Sequence, residues 1–543
     1  MSKLAHYLQE HLTGEVTTAE DTLNHFSTDN SILTLKPSVV VYPYGESDVR
    51  KTMRFAWQLA ERGRIIPVTP RGSGSNNTGA ALGKGILMIF PAHMNRIVEL
   101  ESKSGLVKVE PGANYGKVDQ TLKTHGQFLP PLPHSAEFST IGGGIADNIS
   151  GEKTVKYGNT QEYVKGLRVV LANGEVIETE RLNKRDLNKK LGLATFEGEI
   201  YRAVDTLLEE NRKIVVDSKI KVSNNTAGYN LADVKTKDGF DLTPLLVGSQ
   251  GTLGIITEAT LDTIAFNPVT TLLVGMFDDR KKAQDAIAEL RLLDDLPSSI
   301  EMVDRGLLEI NQKINPNQLK DVIQPPYPEL VLIVEFDDHG ERQQKKAAKK
   351  ALKILQKYST GCRVTTDESE QASLWKLRRA VGTTLMHSDK NFKALPIMEG
   401  AIVPIHKYAE FLDGVYAILK SHQLSAPLWA HAGDGDVYVR PYLDVGQVGS
   451  RQLLFRLMEE YYSLAISLKG STASSGSDGR LRAPYLKRLY SDEVYVVMQK
   501  VKKIFDPYNI LNPGVKMDVA LDDVKPLLRT EYVTRWHEHL PQG

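Results

Sequence analysis

A loop of small residues between two apolar runs is the feature that most constrains the fold of this chain. Residues 65–68 and 86–89 form the runs and read as strands. The segment between them contains Pro70-Arg71-Gly72-Ser73-Gly74-Ser75-Asn76-Asn77-Thr78-Gly79. Glycines spaced by serine and asparagine let backbone N–H groups face an anion without obstruction by side chains. The segment therefore predicts a phosphate-binding loop, and the alternative is a flexible surface connection.

Two well-known phosphate loops do not match this segment. No Gly-Lys-Ser or Gly-Lys-Thr closes it, and no helical pattern directly follows it as in the dinucleotide Gly-x-Gly-x-x-Gly motif. Two further glycine-rich segments occur at residues 133–148 and 248–257. They contain Thr140-Ile141-Gly142-Gly143-Gly144 and Gly251-Thr252-Leu253-Gly254-Ile255-Ile256. We expect all three segments to serve one ligand.

In this order and spacing, the three segments resemble the FAD-binding domain of the vanillyl-alcohol-oxidase, or PCMH-type, flavoprotein superfamily. The resemblance continues through residues 225–231 and 505–514 and covers roughly residues 35–517. Within the superfamily the chain is most similar to FAD-linked 2-hydroxy-acid dehydrogenases, the group of the glycolate oxidase subunit and D-lactate dehydrogenase. The resemblance implies an FAD-dependent oxidoreductase that oxidises a CH–OH donor by hydride transfer to flavin N5. A 2-hydroxy acid such as D-lactate or glycolate is the expected substrate.

The resemblance also implies which residues hold FAD. The first loop would bind the pyrophosphate, the second segment would line the isoalloxazine and ribityl chain, and the third would meet the adenine side. The cofactor-binding residues implied are Pro70, Arg71, Gly72, Ser73, Gly74, Ser75, Asn76, Asn77, Pro133, Ser139, Thr140, Gly143, Gly144, Asn148, Gly151, Gly251, Gly254, Ile255, Ile256 and Asn512. Relatives that tether FAD often carry a histidine where Ser75 and Asn76 stand, and Cys362 lies in the cap part of the sequence. We therefore expect non-covalent FAD.

The substrate side is implied by motifs in the second half of the chain. Arg378 matches the family arginine that binds the carboxylate of the hydroxy acid, a task that suits the planar guanidinium fork. The alternative for Arg378 is a solvated helix that carries basic residues. Lys393 and Glu399 match a strand that leads towards the flavin. We assign catalytic roles to His431, Arg378, Tyr438 and Glu399, and substrate binding to Arg378 and Lys393.

Departures from the family pattern weaken the expected metal and base site. Relatives use two histidines and a glutamate to hold a divalent metal, and a further histidine as the base. His431 matches the first histidine, but Tyr438 replaces the second and Asp436 replaces an asparagine. Ser475 and Gly476 stand where the glutamate and the base would be. We therefore expect no tightly bound metal, since such sites normally need at least about three protein ligands; His431 as a buried core histidine is the alternative.

These departures leave other functions open. One alternative is a flavin oxidoreductase of the same fold that acts on another alcohol or a sugar. Another is a catalytically silent subunit that keeps the flavin site and has lost the chemistry. The three glycine segments favour redox use of the flavin, and Arg378 favours an anionic small-molecule substrate.

Composition excludes several other classes of protein. The net charge is 0 and no basic stripe stands out, so we expect no nucleic-acid partner. The apolar runs are too short to span a bilayer, and residues 1–6 lack a signal-peptide core. The single cysteine permits neither an internal disulfide nor a four-thiolate iron–sulfur cluster. We expect a cytoplasmic protein. A homodimer is possible from the sequence, and the electron acceptor is oxygen, a quinone or a carrier protein.

Periodicity and the resemblance together predict an α+β architecture with a helical arm at residues 1–35. A PCMH-type FAD-binding domain of two α/β subdomains would follow at residues 36–266. A cap domain, an antiparallel sheet covered by helices, would span residues 267–504 and contact the substrate. Residues 505–543 would then return to the FAD-binding domain. Residues 180–190 are highly charged and read as an exposed loop.

Local patterns indicate particular elements within these domains. Helical periodicity occurs at residues 47–61 and 200–212 in the FAD-binding part. In the cap part, two apolar runs read as strands, and each is followed by a long charged helix. The strands are expected at 272–276 and 330–336, and the helices at 281–293 and 342–358.

Overall fold

The computed structural model describes residues 3–386 and 392–530. Helices and strands are mixed along these residues, which confirms the predicted α+β class. The outer ends of the predicted N-terminal arm and C-terminal segment, residues 1–2 and 531–543, lie outside the described residues.

The strands are short and are spread over the whole described chain. They are β1 (Glu15–Thr17), β2 (Val39–Tyr42), β3 (Val68–Arg71), β4 (Ile86–Ile89), β5 (Ile97–Glu101), β6 (Leu106–Val109), β7 (Gln127–Phe128), β8 (Val164–Val170), β9 (Val176–Thr179), β10 (Lys235–Thr236), β11 (Gly239–Phe240), β12 (Ile255–Asp262), β13 (Ile264–Ala265), β14 (Thr271–Phe277), β15 (Ser299–Asp304), β16 (Leu330–Phe336), β17 (Gly361–Thr365), β18 (Phe392–Ala394), β19 (Met398–Ile402), β20 (Leu428–Ala430), β21 (Asp436–Val439) and β22 (Tyr442–Asp444).

The helices lie between and around these strands. They are α1 (Lys3–His11), α2 (Glu20–His25), α3 (Glu46–Glu61), α4 (Tyr115–Thr124), α5 (Ile141–Asp147), α6 (Thr154–Tyr157), α7 (Lys184–Leu191), α8 (Phe196–Glu210), α9 (Arg212–Asp217), α10 (Thr243–Leu246), α11 (Arg280–Leu290), α12 (Arg305–Ile314), α13 (Glu341–Tyr358), α14 (Glu368–Leu374), α15 (Lys376–Met386), α16 (Tyr408–Ser421), α17 (Val448–Ser467), α18 (Leu486–Leu489), α19 (Asp492–Phe505) and α20 (Leu521–Val524). Short 3-10 helices occur at Thr160–Glu162, Ile405–Lys407, Ala483–Tyr485 and Lys525–Leu527.

Two sheets build the first half of the chain. The smaller has the strand order β1-β2-β4-β3, and both β2 and β3 run parallel to β4. The larger is antiparallel, with the order β5-β6-β12-β8-β9. Alternate residues of β12 are buried, as expected for a strand with only one face on a core. Ile255 of β12 shares a core with α3 and the smaller sheet, so the two sheets pack together.

The second half is built around a seven-stranded antiparallel sheet with the order β17-β14-β16-β15-β20-β21-β19. Its strands β14 and β16 are apolar and almost wholly buried, and successive side chains point to opposite faces. Leu273 and Leu332 pack beneath α11, α13, α16 and α17. Val274 and Val331 pack against α12 and α15 on the other face. The predicted antiparallel sheet covered by helices is therefore present.

Segments from both ends of the described chain join the first half. Strand β1 pairs with β2, Leu33 forms an isolated bridge with Leu528, and Val68 forms a parallel bridge with Leu511. The segment after α19 thus lies against the smaller sheet.

Two local predictions differ from the structure. The N-terminal arm contains helices α1 and α2, but β1 lies between them and extends a sheet. The charged stretch predicted as a loop contains α7, none of whose residues is buried. The side chain of Asn183 caps this helix by accepting from the backbone N–H groups of Arg185 and Asp186. Leu187 and Leu191, one turn apart, are partly buried against the core of the larger sheet, so the cap and this short apolar contact together stabilise the helix.

Candidate active site

A cavity of about 630 Å³ lies where the glycine segments of the first half meet the cap sheet. Its volume is within the range of small-molecule and cofactor sites. Most of the predicted cofactor-binding residues line it: Pro70, Arg71, Gly72, Ser73, Gly74, Ser75, Asn76, Asn77, Pro133, Ser139, Thr140, Gly143, Gly144, Gly251, Gly254 and Ile256. All the predicted substrate-side residues line it as well: Arg378, Lys393, Glu399, His431 and Tyr438.

Close packing explains why the lining segments are rich in glycine. A Cβ on Gly72 would lie 2.3 Å from Oγ1 of Thr140, so the first and second segments approach closely. A Cβ on Gly251 would lie 2.4 Å from Cγ of Pro70, which brings the third segment against the first. Gly251 also has φ +73°, a left-handed conformation that favours glycine. The three segments thus form a cradle that added side chains would disrupt.

A polar network joins the same three segments beside the cavity. Nδ2 of Asn76 donates to both carboxylate oxygens of Asp147 at 2.8 Å, and Nε2 of Gln250 donates to Oδ1 of Asp147 at 2.8 Å. Oδ1 of Asn76 accepts from the backbone N–H of Thr78 at 2.7 Å, which fixes the first loop. Burial raises the pKa of Asp147 to about 6, against the hydrogen bonds from Gln250 and Asn76. The network holds the predicted phosphate loop in one conformation.

Four predicted cofactor residues do not line the cavity. Asn148 has φ 46° and ends α5, and its Oδ1 accepts from the backbone N–H of Gln161 at 3.0 Å. Gly151 packs against a backbone carbonyl, and Ile255 is buried in a core. Asn512 accepts from a threonine hydroxyl of β3 and donates to carbonyls of the first loop region and the third segment. Of these four residues, Asn512 supports the cradle through its hydrogen bonds.

A buried carboxylate connects two of the predicted catalytic residues. Oε2 of Glu301 accepts from Nε of Arg378 at 2.7 Å, and its Oε1 lies 2.8 Å from Nδ1 of His431. The side chains of Glu301 and Arg378 are 1% and 2% exposed. Burial opposes the charge of Glu301, but His431 and Arg378 outweigh it and hold its pKa below the ordinary value. Nη1 of Arg378 is buried and has no hydrogen-bond partner among the described residues.

His431 is held in one orientation by two acidic residues. Its Nδ1 faces Glu301, and its backbone N–H donates to Oδ1 of Asp436 at 2.9 Å. Burial alone would lower its pKa, but the charges of Glu301 and Asp436 raise it to about 9. Nε2 of His431 makes no hydrogen bond within the described part of the chain, and the residue lines the cavity. This nitrogen can therefore exchange a proton with a bound molecule.

Aromatic rings form one wall beside His431. The ring of Tyr438 lies edge-on to the imidazole with centroids 5.7 Å apart, and it stacks on Trp429 at 5.8 Å. Burial, and then Asp436, raises the pKa of the Tyr438 hydroxyl well above its ordinary value. Tyr438 thus stays a neutral hydrogen-bonding group.

Both carboxylate oxygens of Glu399 accept hydrogen bonds from neighbouring side chains. Its Oε1 accepts from Nε of Arg440, and its Oε2 accepts from Nδ2 of Asn77 at 3.0 Å. Asn77 belongs to the first glycine loop, so this contact connects the loop to the cap. Lys393 lies on β18 and faces the same cavity.

The two family positions that depart from the expected glutamate and histidine also line the cavity. Oγ of Ser475 accepts from the backbone N–H of Ser150 at 2.9 Å, so it holds the second segment. Gly476 has φ +77°, and its carbonyl accepts from Nε2 of Gln250 at 3.1 Å. Over residues 3–386 and 392–530, no three His, Cys, Asp or Glu side chains converge as metal ligands.

Sequence reasoning missed several residues of this site, Trp429 among them. Glu301 is the positioning residue described above, and Arg440 and His134 both line the cavity. His134 is exposed at the cavity wall, where enclosure by the surrounding protein, and then the charges of Arg378 and His431, lower the pKa of its ring. The sequence does contain a signal for Glu301, because a charged residue interrupts the apolar run Ile300-Glu301-Met302-Val303. The structure shows that this run is a fully buried strand, where a carboxylate needs partners.

The family comparison agrees with this geometry. A model of the FAD binding domain matches residues 37–180, and a model of the C-terminal domain of FAD linked oxidases matches residues 267–515. The chain belongs to the family of FAD linked oxidases. FAD is thus the cofactor of this fold, as the resemblance implied, and the glycine cradle of the cavity fits it. No helix in the described part of the chain is long and apolar enough to cross a membrane.

Curated relatives are oxidoreductases of hydroxy acids by name. The chain is 31% identical to D-2-hydroxyglutarate dehydrogenase of Escherichia coli K12, over 97% of this chain and 52% of that protein. It is 27% identical to glycolate oxidase subunit GlcD of Bacillus subtilis 168, over 88% of each chain. It is 25% identical to D-lactate dehydrogenase of Archaeoglobus fulgidus, over 88% of this chain and 90% of that protein. The chain thus spans about half the length of the D-2-hydroxyglutarate dehydrogenases that it matches.

Solved structures share the fold at low sequence identity. 4-Ethylphenol oxidase from Gulosibacter chungangensis superposes with a TM-score of 0.68 at 15% identity, over 96% of this chain and 97% of that one. Alkyldihydroxyacetonephosphate synthase superposes with a TM-score of 0.64 at 15% identity, over 94% of this chain and 86% of that one. These likenesses support the fold alone.

Proposed function

We propose that the protein is an FAD-dependent oxidoreductase that oxidises a 2-hydroxy acid to the 2-oxo acid. The observation that carries this proposal is the Arg378–Glu301–His431 arrangement beside the cofactor cradle. It offers an unsatisfied guanidinium N–H for a carboxylate and a ring nitrogen for a hydroxyl proton. Bound FAD would supply the acceptor for the hydride from the substrate carbon.

In this proposal each protein group has one task. Arg378 binds the substrate carboxylate through Nη1, while Glu301 holds its Nε. His431, in its neutral form, accepts the hydroxyl proton at Nε2, and Glu301 stabilises the imidazolium that results. Tyr438 and Trp429 present flat apolar surfaces that exclude water from the reacting bond. No metal is needed for these steps.

The finer proposal is that the substrate carries a second carboxylate. Arg440 lines the same cavity as Arg378 and lies over the ring of Trp429, with Cζ 5.7 Å from the centroid. Two guanidinium groups suit a dicarboxylate better than lactate or glycolate. Relatives named as D-2-hydroxyglutarate dehydrogenases support the same preference.

Anaerobic mixing of the FAD-loaded protein with a substrate panel tests both levels. D-2-hydroxyglutarate should bleach the visible flavin band fastest, D-lactate and glycolate more slowly, and neutral alcohols and sugars not at all. Faster bleaching by a neutral alcohol would favour the alternative substrate class. No bleaching by any of them would favour a silent flavin-binding subunit.

Four further parts of the proposal rest on the sequence. FAD is held non-covalently, so acid precipitation should release the flavin into the supernatant, and flavin in the pellet would contradict this. We place the protein in the cytoplasm, which cell fractionation would test. Steady-state assays with oxygen, a quinone and a carrier protein would identify the electron acceptor, and light scattering would test for a homodimer.

A further inference from the structure

Segments near the two ends of the chain contact each other at the edge of the cavity, outside both matched family models. The backbone N–H of Thr34 donates to the carbonyl of Leu527 at 2.8 Å. The backbone N–H of Arg529 donates to the carbonyl of Ile32 at 2.9 Å. We call residues 26–35 and 525–530 the terminal clasp. Asp29, Asn30, Ser31 and Arg529 of this clasp line the cavity.

Arg529 brings a buried positive charge to the cavity. It is 4% exposed, although it lies near the end of the described chain. Its Nε donates to the carbonyl of Leu33 at 2.8 Å, and its Nη2 donates to the carbonyl of Asp29. Two carbonyls of the N-terminal segment therefore hold the guanidinium in place.

A second buried guanidinium, that of Arg71, lies in the same region of the cavity. Arg71 is 2% exposed, and its Nε and Nη2 have no hydrogen-bond partner among the described residues. A Cβ on Gly74 would lie only 2.3 Å from Nη2 of Arg71, so the guanidinium lies directly against the glycine loop. Its Nη1 makes only long contacts of 3.4 Å with the carbonyls of Phe26 and Ala81.

Asp29 is the carboxylate beside the two guanidiniums, and its Oδ1 already accepts from the backbone N–H and the hydroxyl of Ser31 at 2.9 Å and 2.5 Å. Burial lowers the pKa of Arg71 to about 10. The negative charge of Asp29 raises this pKa, and the positive charge of Arg529 lowers it. The buried Nε–H and Nη2–H groups of Arg71 are costly to leave without an acceptor, and an anion in the cavity would supply one.

We infer that Arg71 and Arg529 together bind the diphosphate of FAD, so that the terminal clasp closes over the cofactor. The diphosphate carries negative charge, accepts from several N–H groups and matches the fork of a guanidinium. The glycine loop that contacts Arg71 offers backbone N–H groups to the same anion. The clasp adds a cofactor contact that lies outside residues 37–180 and 267–515, where the family models match.

Titration of the flavin-free full chain with FAD, followed by flavin fluorescence, tests the inference without any activity assay. Arg529→Met should weaken FAD binding about tenfold or more, because it removes a charge-assisted hydrogen bond to the anion. Arg529→Lys should weaken it less, since the charge is kept. Asp29→Asn should tighten binding, because it removes the competing negative charge.

Arg480→Met is the matched control for burial. Arg480 is 6% exposed and donates to the carbonyls of Leu82 and Gly514, but it does not line the cavity. Its loss should leave FAD affinity nearly unchanged. Equal weakening by Arg529→Met and Arg480→Met would overturn the inference, and so would weakening by Asp29→Asn. If Arg529→Met does not fold, the inference is tested by the other two variants: Arg529→Lys should weaken FAD binding and Asp29→Asn should tighten it.

Discussion

At the scale of single residues, Glu301 sets the charge and orientation of two groups that face the cavity. One of its oxygens accepts from Arg378 and the other faces His431, at 2.7 Å and 2.8 Å. Glu301 itself is fully buried and does not line the cavity, so it acts through its partners. This makes it a positioning residue whose effect is read in the protonation of His431.

Replacing Glu301 with Gln should lower the pKa of His431, which is now raised to about 9 with the help of this carboxylate. The neutral form of His431 would then prevail at lower pH. Because this form accepts the substrate proton, the rising limb of kcat/KM against pH should move to lower pH. Its plateau should also fall, since Gln stabilises an imidazolium less well. A pH–rate profile measures both effects.

Glu110→Gln is the control for this profile, because Glu110 is a buried carboxylate that pairs with Arg96 and does not line the cavity. The rising limb of its pH–rate profile should lie at the same pH as that of the parent protein. An unshifted limb in Glu301→Gln would contradict the assignment of His431 as the base.

The raised pKa of His431 also affects folding stability. The stabilisation is fully present below the unfolded pKa of 6.5 and is lost as pH rises through about 9.

Replacing Arg378 with Ala should lower kcat/KM for a 2-hydroxy acid roughly ten- to a hundredfold, through loss of a charge-assisted hydrogen bond. Lys should recover only part of the loss, because a point charge does not fix the plane of a carboxylate. The flavin content should stay unchanged, since Arg378 lies on α15 of the cap. Steady-state kinetics on flavin-normalised protein would show this, and full activity of Arg378→Ala would disprove the role in carboxylate binding.

At the scale of elements, Asp304 joins the end of β15 to the start of α12. Its Oδ1 accepts from the backbone N–H groups of Leu307 and Leu428 at 2.8 Å and 3.2 Å, and its Oδ2 accepts from the hydroxyl of Tyr416 at 3.3 Å. Asp304→Ala should therefore lower the free energy of unfolding by about 2 kcal/mol, the upper range for a lost helix cap. Asp304→Asn should lose much less, because it keeps the accepting oxygen. Urea unfolding compares them, and equal losses would contradict the cap role.

Elements with strong local patterns are predictable from this sequence. The apolar run of β16 and the charged amphipathic α13 are predicted almost to the residue. The strand is buried along its whole length and the helix along one side, and both patterns are visible in the local sequence. Strand β1 has only three residues and is stabilised by its pairing with β2, a contact that no local pattern reveals. Helix α7 has only two apolar residues on its core side, Leu187 and Leu191, and its Asn183 cap lies in a stretch whose many charges suggest a loop.

The same distinction holds for the candidate site. The glycine segments are predictable because close backbone approach requires glycine at fixed local spacing, as at Gly72 and Gly251. The partnership of Glu301 with His431 joins residues 130 positions apart, and Arg529 reaches Leu33 from 496 positions away. Such contacts depend on how sheets and chain ends meet, which sequence spacing does not encode.

At the scale of the whole molecule, a charged cluster joins the FAD-binding part to the cap sheet. Nζ of Lys153 lies 2.6 Å from Glu335 and 2.7 Å from Asp337, and Nζ of Lys156 lies 2.9 Å from Asp337. The hydroxyl of Tyr157 also donates to Asp337 at 2.7 Å. Because α6 carries Lys156 and Tyr157 while the acids lie at the end of β16, the cluster fixes how the two halves of the cavity meet.

Asp337→Asn should lower the free energy of unfolding by about 2 kcal/mol, since it removes one of the two carboxylates that each of these partly buried lysines contacts. Asp338→Asn is the matched control and should cost less, because Asp338 is more exposed and pairs with Lys156 alone. Burial would raise the pKa of Asp337, but Lys153 and Lys156 outweigh it and lower it. Its stabilisation is therefore present above the unfolded pKa of 3.8 and is lost as pH falls through the lower folded value. Urea unfolding at several pH values should show the parent and Asp337→Asn converging in acid, and a gap that stays constant with pH would exclude an ionic role for this cluster.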